Sequence, residues 1–296
     1  MTPIMPKQQD PTQQYAKPPL PEPEQTPPGS DKKMAHAPDY GESTYVGHGR
    51  LEGRAAIVTG ADSGIGRAIA LAFAREGADV LISYLNEDED AQETLRLVHS
   101  AGRRAILVPG DLTDEAHCKM IVEKARSEFG HLDILVNNAA FQKTHGNITE
   151  IPSEEWEHTF RTNIFAMFYL CKAALPLMRP GGAIINTASI EAYQPESMLL
   201  AYATTKGAIV NFTKGLASEA IKSGIRVNAV APGPVWTPLI PSTMPAEQVT
   251  TFGADTLLKR PAQPAELAPL YAFLASQEAS YITGMVYGIT GGDPIA

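Results

Sequence analysis

The sequence predicts an α/β fold: one doubly wound parallel sheet of about seven strands with helices on both faces. Three observations predict it. Short apolar runs alternate with helical patterns from Leu51 onward. The first of those runs ends in a glycine-rich turn that opens a helix. A chain of 296 residues with a hydrophobic fraction of 44% can also bury a large core. Strands alternating with helices at this spacing imply βαβ units, and right-handed crossovers then place helices on both faces.

The elements follow in order. AAIVTG (55–60) is a short apolar run ending in Gly, the pattern of a buried strand. GIGRAIALAFAREGA reads as a helix, apolar at Ile65, Ile69, Leu71, Ala72 and Phe73, and DVLISYL (79–85) as a second strand. Helix EDAQETLRLVHSAG follows, opened by Glu87–Asp90, where negative charge suits the helix dipole. Strand RAILVPGD, helix EAHCKMIVEKARSEFG and strand LDILVNNA (132–139) come next. The pattern then predicts a long helix from about Ser153 to Met178, strand GAIINTAS (182–189), a helix from about Met198 to Ser223 and strand IRVNAVAPG (225–233). A less regular stretch spans Pro234 to about Pro261, before helix PAELAPLYAFLAS and a last strand, MVYGIT.

Residues 1–50 form a separate region, and residues 51–296 are the expected catalytic domain. Ten of the chain's 24 prolines fall in that first region, among Gln, Glu and Lys. Such a segment buries too little apolar surface to offset its ordering entropy, so an extended, polyproline-like arm is expected. Its turn-rich end, DYGESTYVGHGR (39–50), is the part expected to be ordered, because Tyr40, Tyr45 and Val46 offer something to bury. The arm is expected to lie along a subunit interface and outside the catalytic site.

Composition excludes several classes. A net charge of −9 argues against nucleic-acid or anionic-membrane partners. No apolar run approaches the ~18 residues of a membrane span, and the N-terminus lacks the apolar core of a secretory signal. Two cysteines, Cys118 and Cys171, give neither a disulfide framework nor a four-ligand metal site, and the seven histidines show no metal-ligand spacing. A cytoplasmic protein with reduced thiols and no metal is expected.

TGADSGIG (59–66) follows a strand and opens a helix, the context in which a glycine-rich turn cradles a dinucleotide. Gly60 permits the tight turn, Gly64 lets backbone approach the pyrophosphate, and Gly66 lets helix and strand pack closely. The helix N-terminus offers free N–H groups to the phosphates. YATTK (202–206) places a phenol and an ammonium four residues apart, hence on one helix face. A phenol with a pKa of ~10 is a poor base at neutral pH. An ammonium ~5 Å away at an effective dielectric of ~20 favours phenolate by ~3 kcal/mol, or ~2 pKa units. The pair is therefore expected to bring Tyr202 toward working pH as an acid/base for hydride transfer.

TGADSGIG, GDLTD, LDILVNNA, RTNIF, INTAS, YATTK and RVNAVAPGPVWT, in this order and at these separations, resemble the short-chain dehydrogenase/reductase family from about Leu51 to Gly292. The proline-rich leader and the ending YGITGGDP further resemble its branch of glucose/ribitol dehydrogenase-like and general stress proteins. The resemblance implies a Rossmann-type fold, an NADP or NAD cofactor, a homotetramer and an oxidoreductase that interconverts a carbonyl and an alcohol. It implies Tyr202 as acid/base, Lys206 as the group that lowers its pKa, Ser189 as holder of the substrate oxygen and Asn163 as support for a proton-relay water. It implies cofactor contacts from Thr59, Gly60, Asp62, Ser63, Gly64, Ile65 and Gly66 in the first turn. Tyr84 and Asn86 end the second strand, Asp111 and Leu112 reach adenine, and Asn138 and Ala139 line the adenosine ribose. Tyr202 and Lys206 reach the nicotinamide side, and Pro232, Gly233, Val235 and Thr237 orient the carboxamide.

Ala140 stands where the family often has Gly, a change expected to tighten that turn. Asn137 is expected to stabilise the sheet rather than touch a ligand. Around the substrate the resemblance places Phe141, Gln142, Glu191, Tyr193, Pro234, Trp236 and the stretch to about Leu258, with Trp236 equally able to be core. Such a wall suits a small aldehyde, a ketone, a sugar or a polyol. The second strand ends Ser83-Tyr84-Leu85-Asn86 without an acid until Glu87, which tilts the reading slightly to NADP; Asp62, and the lack of Arg or Lys in that turn, weigh for NAD. The alternatives are a 3-oxoacyl-thioester reductase, and a non-catalytic dinucleotide-binding sensor, which the presence of Asn163, Ser189, Tyr202 and Lys206 together disfavours.

Overall fold

A computed structural model describes residues 8–295. Strands β1 (Ala55–Thr59), β2 (Asp79–Tyr84), β3 (Ala105–Pro109), β4 (Ile134–Asn137), β5 (Ala183–Thr187), β6 (Arg226–Pro232) and β7 (Val286–Ile289) form one sheet in the order β3-β2-β1-β4-β5-β6-β7. Every pairing is parallel. The chain runs outward from β1 to β3, then returns to lay β4 beside β1. This reversal opens a crevice at the carboxyl ends of β1 and β4, the place where doubly wound sheets bind ligands.

Alternation along β1 divides the core. Ala55 and Ile57 face a cluster built with α3 (Glu115–Phe129), α5 (Ala166–Ala174) and α6 (Leu200–Ala220). Ala56 and Val58 face the opposite cluster, built with α1 (Gly64–Arg75), α2 (Asp88–Ser100) and α9 (Pro264–Ala275). All five β1 residues are buried, as a strand covered on both faces requires.

The expected helix over 153–178 is instead two helices. α4 (Ser153–Phe160) and α5 are joined by a π-helical turn at Arg161–Phe165, and a 3-10 turn at Leu175–Leu177 ends the unit. Asn163 sits in that widened turn, where its side chain bridges to a neighbouring loop. In the stretch after β6, two short helices form: α7 (Leu239–Thr243) and α8 (Ala246–Thr251).

The proline-rich arm packs on its own chain. Its turn-rich end is anchored by the buried carboxylate of Glu76, just past α1. The Tyr45 hydroxyl donates to Glu76 Oε1 (2.7 Å), the N–H groups of His48 and Arg50 donate to Oε2 (2.9 and 3.0 Å), and the Arg50 guanidinium donates to Oε1 (3.0 and 2.8 Å). Tyr40 is buried against Ala68, Ala72 and Ala268. Burial alone would raise the Glu76 carboxyl, but the donors from Arg50, His48 and Tyr45 hold it down to about 2. A depressed carboxyl stabilises the fold above its unfolded pKa, and that contribution is lost as pH falls through the folded value. Glu76→Gln should therefore lower stability by about 1–3 kcal/mol at pH 7, the cost of leaving buried donors unpaired. Urea melts of the two proteins should converge as pH falls from 5 toward 2; equal midpoints at pH 7 would contradict the anchor.

Candidate active site

The cleft at the carboxyl ends of the strands is a cavity of about 820 Å³, within the range of small-molecule and cofactor sites. At its base the ends of β1, β4 and β5 are laced together. Thr59 Oγ1 accepts the N–H groups of Asn138 (2.9 Å) and Ala139 (3.0 Å), and Asn138 Nδ2 donates to the Thr59 carbonyl (3.1 Å). The Thr187 hydroxyl donates to Asn138 Oδ1 (3.3 Å) and shares a 2.8 Å bond with the Tyr271 hydroxyl. Asn137 points away from the cleft, donating to Asn186 Oδ1 (2.8 Å), which itself bonds Thr213 through Nδ2 (2.9 Å). It braces the sheet.

The glycine turn suits a dinucleotide. Gly66 packs so closely on the turn that a Cβ there would lie 1.9 Å from the Gly60 carbonyl oxygen. The Ser63 hydroxyl bonds Asp62 Oδ2 (2.9 Å) and does not cap α1, so the first-turn N–H groups are left open to an anion. Gly60, Asp62, Ser63, Gly64, Ile65, Tyr84, Asp111, Leu112, Asn138, Ala139, Pro232, Gly233, Val235 and Thr237 all line the cavity. Thr59, Gly66 and Asn86 do not: the first two support the turn from behind, and at the end of β2 the wall comes from Tyr84, Leu85 and Glu87. Ala140 lines the cavity without strain, since Lys259 is the only non-glycine residue with positive φ among the described residues. No left-handed residue is needed at position 140.

Ser189, Tyr202 and Lys206 converge on the same cavity. Ser189 follows β5; its Oγ accepts the Glu191 N–H (3.1 Å), leaving the hydroxyl proton for Tyr202. Lys206 Nζ lies 5.1 Å from the Tyr202 ring centroid and donates to the Thr187 carbonyl (2.8 Å). Asn163 is not in the cavity wall. Its Oδ1 accepts the Phe141 N–H (2.7 Å), and its Nδ2 donates to the Phe141 carbonyl (2.9 Å) and Thr205 Oγ1 (3.0 Å). The side chain is a strut between the π-turn, the loop after β4 and α6.

The electrostatics differ from the expected pair. Burial pushes the Tyr202 phenol well above its ordinary value; the Ser189 hydrogen bond opposes this and the Glu191 charge reinforces it. Burial also pushes the neighbouring Lys206 amine down to about 7. The amine faces the ring and a backbone carbonyl, and no carboxylate pairs with it. Glu191 is also buried, which raises its carboxyl to about 7; the Glu196 N–H, donating to Oε2 at 2.8 Å, opposes the rise and the Glu196 charge adds to it.

Of the expected substrate wall, Phe141, Gln142, Glu191 and Pro234 line the cavity. Tyr193 packs against the core on the α6 side. Trp236 is 1% exposed and belongs to a small core with Leu20, Met34, Ile240 and Val249. Leu258 is also outside the wall, and Thr256 is the last residue of that stretch to line it. Pro27 and Pro28 of the arm line the cavity, contrary to the expectation that the arm stands apart from the site. No sequence signal marked them, because proline content predicts extension without predicting what the extended chain lies against.

A profile described as "Enoyl-(Acyl carrier protein) reductase" matches residues 60–293. The chain is 48% identical over 266 residues to general stress protein 39 of Bacillus subtilis, covering 90% of this chain and 93% of that protein. It is 45% identical over 278 residues to a glucose and ribitol dehydrogenase of Daucus carota, covering 92% and 96%. Among solved structures, a short chain dehydrogenase from Burkholderia cenocepacia in complex with NADP superposes with a TM-score of 0.77 at 33% identity, covering 82% of this chain and 98% of that one. A glycine turn and a Ser–Tyr–Lys cluster on one Rossmann-type cleft define a nicotinamide-dependent oxidoreductase. With these relatives, the chain belongs to the short-chain dehydrogenase/reductase family.

The buried amine yields a stability prediction. Between pH 7 and the unfolded value near 10.4, the unfolded chain holds a proton that folded Lys206 has released, so stability rises with pH across that window. Below it both states are protonated and the full cost of burying the ammonium stands. Lys206→Met should raise the cofactor-free melting temperature by more than about 3 °C at pH 6, with the gain shrinking toward zero by about pH 10. A gain independent of pH would show that the amine is not held near 7.

Proposed function

We propose that the cleft interconverts a carbonyl and an alcohol on a small aldehyde, ketone, sugar or polyol, with Tyr202 as the acid/base. One observation carries this reading: the Tyr202 phenol, the Ser189 hydroxyl and the Lys206 amine line the same cavity as the glycine turn. Residues 51–296 act as the catalytic domain. The first turn of α1 would hold the pyrophosphate, the Asn138–Ala139 turn the adenosine ribose, and the stretch from Pro232 to Thr237 the carboxamide. A bound nicotinamide supplies or takes up the hydride at the substrate carbon.

The rest of the chemistry belongs to the chain. In the reductive direction Tyr202, kept protonated by burial, gives its proton to the carbonyl oxygen. Ser189, with its lone pair already engaged by the Glu191 N–H, turns its own proton to that oxygen and stabilises the charge that builds there. Lys206, fixed through the Thr187 carbonyl, bonds the nicotinamide ribose and, when protonated, steadies the phenolate left behind. Asn163 holds the loop carrying Phe141, so that this part of the wall keeps its place.

The lining supports a neutral, hydroxylated substrate. Among the described residues Lys206 is its only lysine or arginine, against Asp62, Glu87, Asp111, Glu191, Glu196, Asp255 and Asp293. An acidic rim repels carboxylates, and it repels the anionic arm and carrier of an acyl thioester. This weighs against the thioester-reductase reading that the profile's description invites. A relative named for glucose and ribitol supports the sugar and polyol side. Both cofactors should serve, with a small preference for NADP: β2 itself ends in Tyr84 and the nearest carboxylate in that wall, Glu87, comes three residues later, and the solved relative holds NADP. The lack of Arg or Lys at that end keeps the preference small. We further read the enzyme as a cytoplasmic homotetramer; Cys118 and Cys171 are buried free thiols.

NADPH and NADH consumption against a panel of aldehydes, ketones and sugars tests the assignment. Tyr202→Phe should lower kcat by about 10²–10⁴-fold, with cofactor binding unchanged, and Ser189→Ala should also slow turnover strongly. Retention of more than about a tenth of the wild-type rate by Tyr202→Phe would remove Tyr202 from the acid/base role.

A further inference from the structure

The arm spans the two banks of the cleft and is fastened to each. On the substrate side, the Leu20 N–H donates to the Thr250 carbonyl (2.9 Å) and the Gln25 N–H to the Pro241 carbonyl (3.0 Å). The Ser242 hydroxyl donates to the Pro28 carbonyl (3.3 Å), and Trp236 Nε1 donates to the His36 carbonyl (2.8 Å). Gly29 lies so close to the start of α7 that a Cβ there would sit 2.5 Å from the Pro238 carbonyl oxygen, at a φ of +85°. On the nucleotide side, the Asp31 carboxylate pairs with the Arg67 guanidinium of α1 (2.8 Å) and accepts the Tyr40 hydroxyl. The Asp31 N–H donates to Asp90 Oδ2 of α2 (3.2 Å). Between the two fastenings, Pro27 and Pro28 face the cavity.

The segment so held has little other support. α7 and α8 are five and six residues long, too short to persist on helix propensity alone. Their buried apolar partners form one small core of Leu20, Met34, Trp236, Ile240 and Val249, and two of those five side chains come from the arm. Lifting the arm would expose the other three to water, at a cost that opposes opening. Thr237, at the start of the same segment, packs against Gly64 in the dinucleotide turn. What holds this segment down therefore also holds it against the cofactor cleft.

We propose that residues 20–31 of the arm are a clasp that ties residues 236–252 to the nucleotide-binding half, and that this clasp sets how fast a bound dinucleotide leaves. The proposal rests on the cleft being the dinucleotide site. The arm is a positioning element: it acts on the cofactor through Trp236–Phe252 and contributes no group to the chemistry. Lid opening and product release commonly limit turnover in enzymes with closing segments, so a loosened clasp should act first on cofactor dissociation.

Full-length protein tests this, with NADPH fluorescence as the probe. Stopped-flow displacement of NADPH by excess NADP gives the release rate, and tryptic cleavage after the exposed Lys33 reports whether the arm has lifted. Leu20→Asp attacks the small core, Gly29→Val attacks the Pro238 contact, and Leu20→Met is the conservative control. Leu20→Asp and Gly29→Val should both speed cleavage at Lys33 and raise NADPH release by about tenfold or more, while Leu20→Met stays at wild type. Faster cleavage with release within about twofold of wild type would overturn the clasp, and so would no change in cleavage for either variant. Failure of the wild-type protein to bind NADPH or NADH would instead strike at the reading of the cleft itself.

Discussion

The site depends on one hydrogen-bonded seam across the carboxyl ends of β1, β4 and β5. Parallel strands end with backbone groups that the ladder no longer pairs, and here Thr59 Oγ1 accepts the N–H groups of Asn138 and Ala139, while the Thr187 hydroxyl donates to the Asn138 side chain. The Thr187 carbonyl then receives Lys206. The seam thus fixes the floor of the cleft, the ribose-side turn and the position of the amine from a single set of contacts. Because Thr59, Thr187 and Lys206 are buried and Asn138 and Ala139 partly so, breaking one contact leaves polar groups poorly paired, which is costly. That cost gives the floor its rigidity, and the phenol and hydroxyl are set against it.

Charge is handled differently inside and outside the cleft. Away from the reacting groups, the buried charges of Glu76 and Arg67 are paired, and the buried Arg226 donates to the Leu274 and Ser276 carbonyls. Glu76 is surrounded by donors from Tyr45, His48 and Arg50, and Arg67 is held between Asp31 and Asp90. At the reacting end, Lys206 and Glu191 are buried without an opposite charge, and both are pushed toward about 7. Unpaired burial costs stability, and it brings groups to protonation states that water would not allow at neutral pH. The Tyr202 phenol belongs to the same set: its environment keeps it protonated, the state a proton donor needs.

Much of this was legible in the sequence because the period of the pattern matched the element. Buried strands such as Ala55–Thr59 and Arg226–Pro232 read as apolar runs, and the strand–turn–helix setting of Gly60, Gly64 and Gly66 marked the cradle. The convergence of Ser189, Tyr202 and Lys206 followed from motif order. Other features were set by tertiary contact. The break at Arg161–Phe165 lies inside a continuous helical pattern, because a π-turn carries no periodicity of its own. The contacts of Asn163 with Phe141 and Thr205 are likewise set by the tertiary fold and carry no sequence pattern. The spacing of Tyr202 and Lys206 placed them side by side but could not show that both are buried, which reverses the expected shift of the phenol. Proline content predicted an extended arm and was silent on where it lies. Its partners, Trp236 and Ile240, are distant in sequence; Trp236 could be read equally as wall or core and is core, and Ile240 is in that core and also lines the cavity.

The central claim is that this cleft reduces a carbonyl at carbon while the chain's own phenol protonates the oxygen. Turnover of an aldehyde substrate with NADPH carrying deuterium at both C4 positions, followed by mass and NMR analysis of the product, tests it most directly. The account predicts an alcohol with one deuterium on the former carbonyl carbon, while the hydroxyl proton exchanges freely with water. An alcohol whose carbon-bound hydrogen comes from solvent, or cofactor consumption without labelled alcohol, would contradict it.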